Sequence, residues 1–225
     1  MIHISASTIK DFISCPRKVS FRIGGGSDAS VPSKEQLEGT IVHSVIEDFG
    51  LDREKANFAL DRHITNYKNI DPKKVRRCLD NFFLLHSQTL SSTDLVEYYF
   101  KAPFNSKAVL TGKMDRIHNN VIFDWKTGEV PPEDINRDPQ FILYYIAYKK
   151  LFSREPSGVV YADLYSKKSY LFKPDKDVLA EFQEEIIPGI IKAISSNNFP
   201  RYGFYGYRVC TKCSFKGVCW GNHDE

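Results

Sequence analysis

Residues 108–128, AVLTGKMDRIHNNVIFDWKTG, decide the fold. Two runs of aliphatic, β-branched and aromatic residues, Val109 to Ile117 and Val121 to Trp125, flank Asn119-Asn120, and the stretch therefore predicts a β-hairpin. Alternate residues of a strand point to one face, which puts Asp124 and Lys126 side by side. Asp115 falls late on the first strand. Two carboxylates held close together offer oxygen ligands to a hard divalent cation, and a lysine beside them can orient or deprotonate an attacking water. An Asp-x-Lys pair also occurs as a solvated ion pair on exposed strands. Here Ile122 and Phe123 before it and Thr127-Gly128 after it put the charges at the end of a buried strand, where unpaired ionic groups are costly.

The spacing Gly112-x-x-Asp115, then Asp124-x-Lys126, resembles the PD-(D/E)XK nuclease superfamily in its RecB-like form. The resemblance implies an α/β, restriction-endonuclease-like core, a central mixed sheet flanked by helices. Asp115 and Asp124 would hold Mg²⁺ or Mn²⁺, with the backbone carbonyl of Trp125 as a further ligand, and Lys126 would position the water. Upstream, Ser33-Lys34-Glu35-Gln36 has the form of a capping box and opens an apolar stripe, predicting a helix over 34–49. His43 lies on it. By itself a histidine on such a helix reads as a core residue. Gly39-Thr40-Ile41-Val42-His43, however, looks like the first motif of RecB-type nucleases, in which the histidine is a third metal ligand. Imidazole suits Mn²⁺ better than Mg²⁺. Glu47, one turn on, either orients His43 or is solvated. Downstream, Asp138-Pro139 starts a helix running to Phe152, with Gln140 and Tyr144 one turn apart on a shared face. This spacing resembles the further RecB-type motif, which implies a place for both residues beside the DNA backbone and the metal site.

The 225 residues carry 42% hydrophobic content and a net charge of +3. One domain over 1–225 is the economical reading, and a polyanionic partner is allowed by the charge without being demanded by it. No signal-like start and no apolar run long enough for a membrane span is seen, so a soluble, cytoplasmic protein without membrane association is expected. Within it, 34–90 read as a helical part, with helices over 52–70 and 71–90 after the first, the last opening on Asp71 and Pro72. The catalytic sheet core spans 94–173, with strands at 95–102, in the hairpin, at 159–166 and at 169–172. A long amphipathic helix covers 175–196. A first helix starts at Ser7, and Gly24-Gly25-Gly26-Ser27 and Pro131-Pro132 mark loops. Lys73, Lys74, Arg76 and Arg77 form a basic cluster that reads as a solvated helix face or as a track for phosphates.

Five cysteines in an intracellular chain favour metal ligation over disulfides. Cys210-x-x-Cys213-x5-Cys219 is one ligand short of a tetrahedral site, and either Cys15 or His223 would complete it. With His223 the site is a zinc knuckle. With Cys15 it is an iron-sulfur cluster that ties 1–23 to 197–225, and this arrangement resembles the iron-sulfur subgroup of RecB-like nucleases, including the CRISPR adaptation exonuclease family. That resemblance implies a 4Fe-4S cluster rather than 2Fe-2S. It also implies a DNA exonuclease preferring single strands, with CRISPR integrase proteins as partners. Rival readings are a repair nuclease acting on recombination ends, a non-catalytic DNA-binding scaffold and a zinc-stabilised binding module. Cys78 stands apart and reads as structural. Arg201 to Arg208 interleave aromatics with cations, a surface for stacked bases or a shield for the cluster. A homo-oligomer is left open.

Overall fold

A computed structural model describes residues 1–25, 32–91, 93–128, 135–202, 210–211 and 213–220. The hairpin forms as its sequence requires. Strand β3, Ala108–His118, turns into β4, Val121–Lys126, through Asn119 and Asn120. Both turn residues have positive φ, 45° and 67°, the backbone of a tight two-residue turn that asparagine tolerates best among residues with a side chain. Four further strands complete a mixed sheet: β1 Ile2–Ile4, β2 Leu95–Pro103, β5 Gly158–Asp163 and β6 Lys168–Phe172. β2 runs antiparallel along nearly all of β3, from Leu95 opposite Ile117 to Pro103 opposite Val109. β4 pairs with β5 in parallel, and β5 with β6 antiparallel.

The other edge of β3 is shared. β1 lies parallel to Ala108–Leu110, and β4 antiparallel to Arg116–His118. Between them, among the described residues, 111–115 have no strand partner on that edge. The sheet is split there, and its polar groups must find other partners.

Helices cover both faces. On one lie α3 Lys34–Phe49, α4 Arg53–Asn66 and α5 Pro72–Leu85, packed through Val42, Val45, Leu60, Leu79 and Phe82 onto Trp125 and Ala162. On the other lie α1 Ala6–Ser14 and α6 Pro139–Phe152, with Ile142, Tyr145 and Ile146 on Leu110, Ile122 and Val159. Caps start the helices where the residue types call for them. Ser33 and Gln36 form the reciprocal capping box of α3, and Asp71 and Asp138 cap α5 and α6, each followed by a proline.

The elements depart from the sequence reading in four places. β1 is only three residues long, too short to show alternation, and it becomes a strand because β3 offers it an edge. The first helix is capped by Ser5 rather than begun at Ser7, and it breaks at Cys15 before α2, Pro16–Ile23, because a residue preceding proline is pushed out of the helical region. The strand expected over 159–166 stops at Asp163, whose carboxylate accepts hydrogen bonds from the Tyr165 and Ser166 amides and folds the chain into a turn. The expected helix over 175–196 is α7, Lys176–Glu181, then a wider turn over Phe182–Ile186 and α8, Ile187–Ser195. Pro188 supplies the reason, since it has no amide to continue the ladder and its ring crowds the preceding turn. The loops expected at Gly26-Ser27 and Pro131-Pro132 lie outside the described residues. No described helix is long and apolar enough to cross a membrane.

Candidate active site

The split in the sheet is where the ionic residues gather. β3 and β4 stop pairing after Arg116 opposite Phe123, and the Trp125 amide donates instead to the Asp115 carboxylate at 2.6 Å. Deeper in the same gap the Lys113 carbonyl accepts from the Tyr144 hydroxyl at 2.5 Å. Side chains thus replace the missing ladder, and Asp115 becomes fixed with one oxygen engaged and the other facing the gap. Gly112, three residues earlier, has a steric reason to be there. A Cβ at that position would come within 2.7 Å of the Phe100 ring across the β2–β3 pair.

Asp124 and Lys126 share a face of β4, as the strand period demands, and their charged groups are 2.6 Å apart. Gln140, on the first turn of α6, joins them: its amide nitrogen donates to Asp124 at 2.8 Å and its carbonyl oxygen accepts from Lys126 at 3.2 Å. The same nitrogen reaches the Tyr144 hydroxyl at 2.8 Å. Gln140 and Tyr144 are therefore engaged inside the protein, orienting the ionic pair, and Tyr144 is buried.

From the opposite face α3 brings in His43. Its Nε2 lies 2.9 Å from the Trp125 carbonyl oxygen, and its Nδ1 lies 3.4 Å from Asp115 and 3.8 Å from Glu97. Glu47 does not orient it. That side chain is half exposed and faces Lys113 at 3.6 Å.

Glu97 is the residue the sequence reading missed. It lies on β2 between two register pairs, Val96 with Arg116 and Tyr98 with Met114, and so directly opposite Asp115. Its backbone is left-handed, φ 49°, which is rare for a residue with a side chain inside a strand. Its carboxylate is almost wholly buried and pairs with the Lys113 ammonium. The ligand atoms of His43, Glu97 and Asp115 all lie within 4.8 Å of one another, the spacing of groups that hold one metal ion. The available signal was an acid within the apolar run Leu95-Val96-Glu97-Tyr98-Tyr99-Phe100.

The electrostatics follow from crowding acids out of water. Burial opposes charge on the His43 imidazole, but Asp115 and Glu97 outweigh it and raise it to about 10. Burial, aided by Asp115, pushes Asp124 up to about 6 against the pull of Lys126. Lys126 loses solvation too, yet the pairing with Asp124 raises it above the ordinary lysine value, so it is an ammonium at neutral pH. Carboxylates, an imidazole and a backbone carbonyl make a donor set suited to Mg²⁺ or Mn²⁺. The 2.9 Å between His43 Nε2 and the Trp125 oxygen fits either a hydrogen bond or two ligands flanking one ion. One Glu97 oxygen has no hydrogen-bond partner, as a carboxylate awaiting a cation would have.

The cysteines gather elsewhere. Cys15, Cys210, Cys213 and Cys219 line one small cavity with Phe21, Phe215 and Trp220. Phe21 stacks on Phe215 at 5.3 Å, and Arg201 lies over Trp220 at 4.4 Å. His223 and residues 203–208 lie outside the described residues. Cys78 is remote, buried on α5 with its thiol facing the Thr127 carbonyl. Of the basic cluster, Lys74 turns inward to Glu38 at 2.8 Å. Lys73, Arg76 and Arg77 line an open groove with Lys167.

Compared with known families, the chain matches the model of the PD-(D/E)XK nuclease superfamily over residues 3–220. No curated protein matches it.

Proposed function

From the premise that the chain belongs to the PD-(D/E)XK nuclease superfamily, we propose that it is a metal-dependent DNA exonuclease of the RecB-like iron-sulfur type, selective for single strands. The observation that carries the reading is the convergence of His43, Asp115, Asp124 and the Trp125 carbonyl on one gap in the sheet, with Lys126 beside them. Divalent metals serve this superfamily, and the His43, Glu97 and Asp115 cluster offers such an ion a place. When bound there, Mg²⁺ or Mn²⁺ would polarise the phosphodiester and lower the pKa of a water.

The chain's own groups do the rest. Asp115, held by the Trp125 amide, would offer its other oxygen to such an ion, while Asp124 is held between Gln140 and Lys126. Lys126 is an ammonium, so it acts as a donor: it orients the attacking water and offsets charge building on the phosphate oxygens. Gln140, backed by Tyr144, keeps that ammonium over the reaction centre and meets the strand on entry. The cavity lined by four thiols and closed by aromatic rings supports a cluster ligated by Cys15, Cys210, Cys213 and Cys219, of 4Fe-4S type, bridging the two ends of the chain. In this reading the protein trims the ends of DNA destined for CRISPR spacer acquisition and works with integrase proteins.

The deciding experiment is digestion of end-labelled single- and double-stranded DNA by anaerobically purified protein with Mn²⁺, Mg²⁺ or EDTA, beside Asp124→Ala and Lys126→Ala. Metal-dependent loss of single strand in the wild type, and none in folded variants, is expected. Undiminished cleavage by either variant sinks the assignment.

A further inference from the structure

Lys73, Arg76 and Arg77 stand one turn apart on the exposed side of α5, and Lys167, from the turn between β5 and β6, joins them in lining an open groove of about 520 Å³. Arg76 is ion-paired with Asp61, and Asp80, the acid that lines the groove, is paired with Arg53 at 2.8 Å. Lys73, Arg77 and Lys167 have no acidic partner among the described residues, and the Arg77 guanidinium lies 4.4 Å over the Tyr165 ring. Like charges held together without counter-charges attract a polyanion. The groove also connects with the active site. Lys126 and Asp163 end β4 and β5 as register partners, and the Leu164 amide donates to the Lys126 carbonyl at 2.8 Å. Asn81, which lines the groove, donates in turn to the Leu164 carbonyl at 2.6 Å. The groove therefore opens at the end of the sheet where Lys126 lies.

We propose that this groove holds the phosphate backbone of a single DNA strand, at nucleotides beyond those in the active site. This rests on the nuclease reading above and adds to it a contact remote from the bond that is cut. The occupant is the strand whose end enters the active site, single-stranded in that reading. Lysine and arginine meet phosphates, which carry no sequence information, so the groove makes affinity depend on strand length and on salt rather than on base sequence. Lys73 and Lys167 supply the charge from two elements, α5 and the β5–β6 turn, and Arg77 is held in place by the Tyr165 ring.

The test is the fluorescence anisotropy of labelled single strands with the full-length protein in EDTA, which prevents cleavage, using strands of about 4 and about 30 nucleotides, below and above the usual span of a single-strand site. The double variant Lys73→Gln/Lys167→Gln removes two exposed side chains and should keep the wild-type melting transition. It is expected to bind the long strand about tenfold more weakly and to lower the slope of log affinity against log salt by about 1.4. Its affinity for the short strand should match the wild type. Lys176→Gln/Lys192→Gln makes the same charge change on α7 and α8, across the sheet from α5, and should alter neither affinity. Wild-type binding of the long strand by the groove variant overturns the inference and leaves the nuclease standing. So does an equal loss on the short strand or in the control, or a loss seen only with duplex DNA. Failure of the nuclease reading would appear instead in the DNA digestion above.

Discussion

His43 Nε2 and the carbonyl oxygen of Trp125 stand 2.9 Å apart, tying helix α3 to the residue between Asp124 and Lys126. Without metal the histidine carries a proton, because Asp115 and Glu97 raise it to about 10 although burial works against the charge. A metal ion takes the neutral imidazole, so loading the site must release that proton. Mn²⁺ affinity should therefore rise with pH by about tenfold per unit between pH 6 and 10, and more steeply below about 6, where Asp124 is also protonated. His43→Ala should bind Mn²⁺ about 10–100-fold more weakly and lose the slope above pH 6. Titration calorimetry across pH reads both.

The same shift has a stability consequence of opposite sign for the metal-free protein. A group raised in the folded state contributes stability that is fully present below its unfolded value, 6.5, and lost as pH rises through about 10. The melting temperature measured in EDTA should fall across that window, and His43→Ala should flatten the fall.

Gln140 holds Asp124, Lys126 and Tyr144 at once. Gln140→Ala should lower kcat on DNA by about 10–100-fold with little change in melting temperature, since only orientation is lost. A change confined to KM would instead make Gln140 a strand contact alone.

Gly112 is opposite Phe100, and an added methyl meets the ring at 2.7 Å. Gly112→Ala should destabilise by about 1–3 kcal/mol in denaturant titrations. Combining it with Phe100→Leu should recover part of that loss, which identifies the ring as the cause.

Arg116 is wholly buried, donating to Asp94 at 2.7 Å and to Thr89, and its guanidinium lies 5.0 Å over the Phe123 ring. Asp94→Ala should cost about 3–5 kcal/mol, because it strands a buried charge. This ion pair is structural, and activity per folded molecule should hold.

With the proposed cluster in place, Cys213→Ser should yield pale protein of lower iron content and lower melting temperature, whereas Cys78→Ser should keep the wild-type colour. The Cys78 thiol, pushed up to about 12 by burial, should also resist alkylation in the folded protein. Full colour in Cys213→Ser would remove that residue from the ligand set.

Local chemistry was legible in the sequence. The Asn119-Asn120 turn, the capping box of α3 and the two-residue spacing of Asp124 and Lys126 depend on neighbours along the chain, and local pattern reports them directly. So was the superfamily, read from the spacing of Gly112, Asp115, Asp124 and Lys126. The tertiary structure alone decided what surrounds them. Glu97 meets Asp115 only because β2 pairs with β3 in one register, and no pattern within Leu95–Pro103 announces that partner or its left-handed backbone. Glu47, one helical turn from His43, turned to Lys113 instead, since helix spacing brings side chains near one another and the sheet beneath chooses between them. The gap itself exists because β1 and β4 share one edge of β3 and leave 111–115 between them. Strand pairing is a non-local choice, made by the packed sheet and not by the residues that fill the opening.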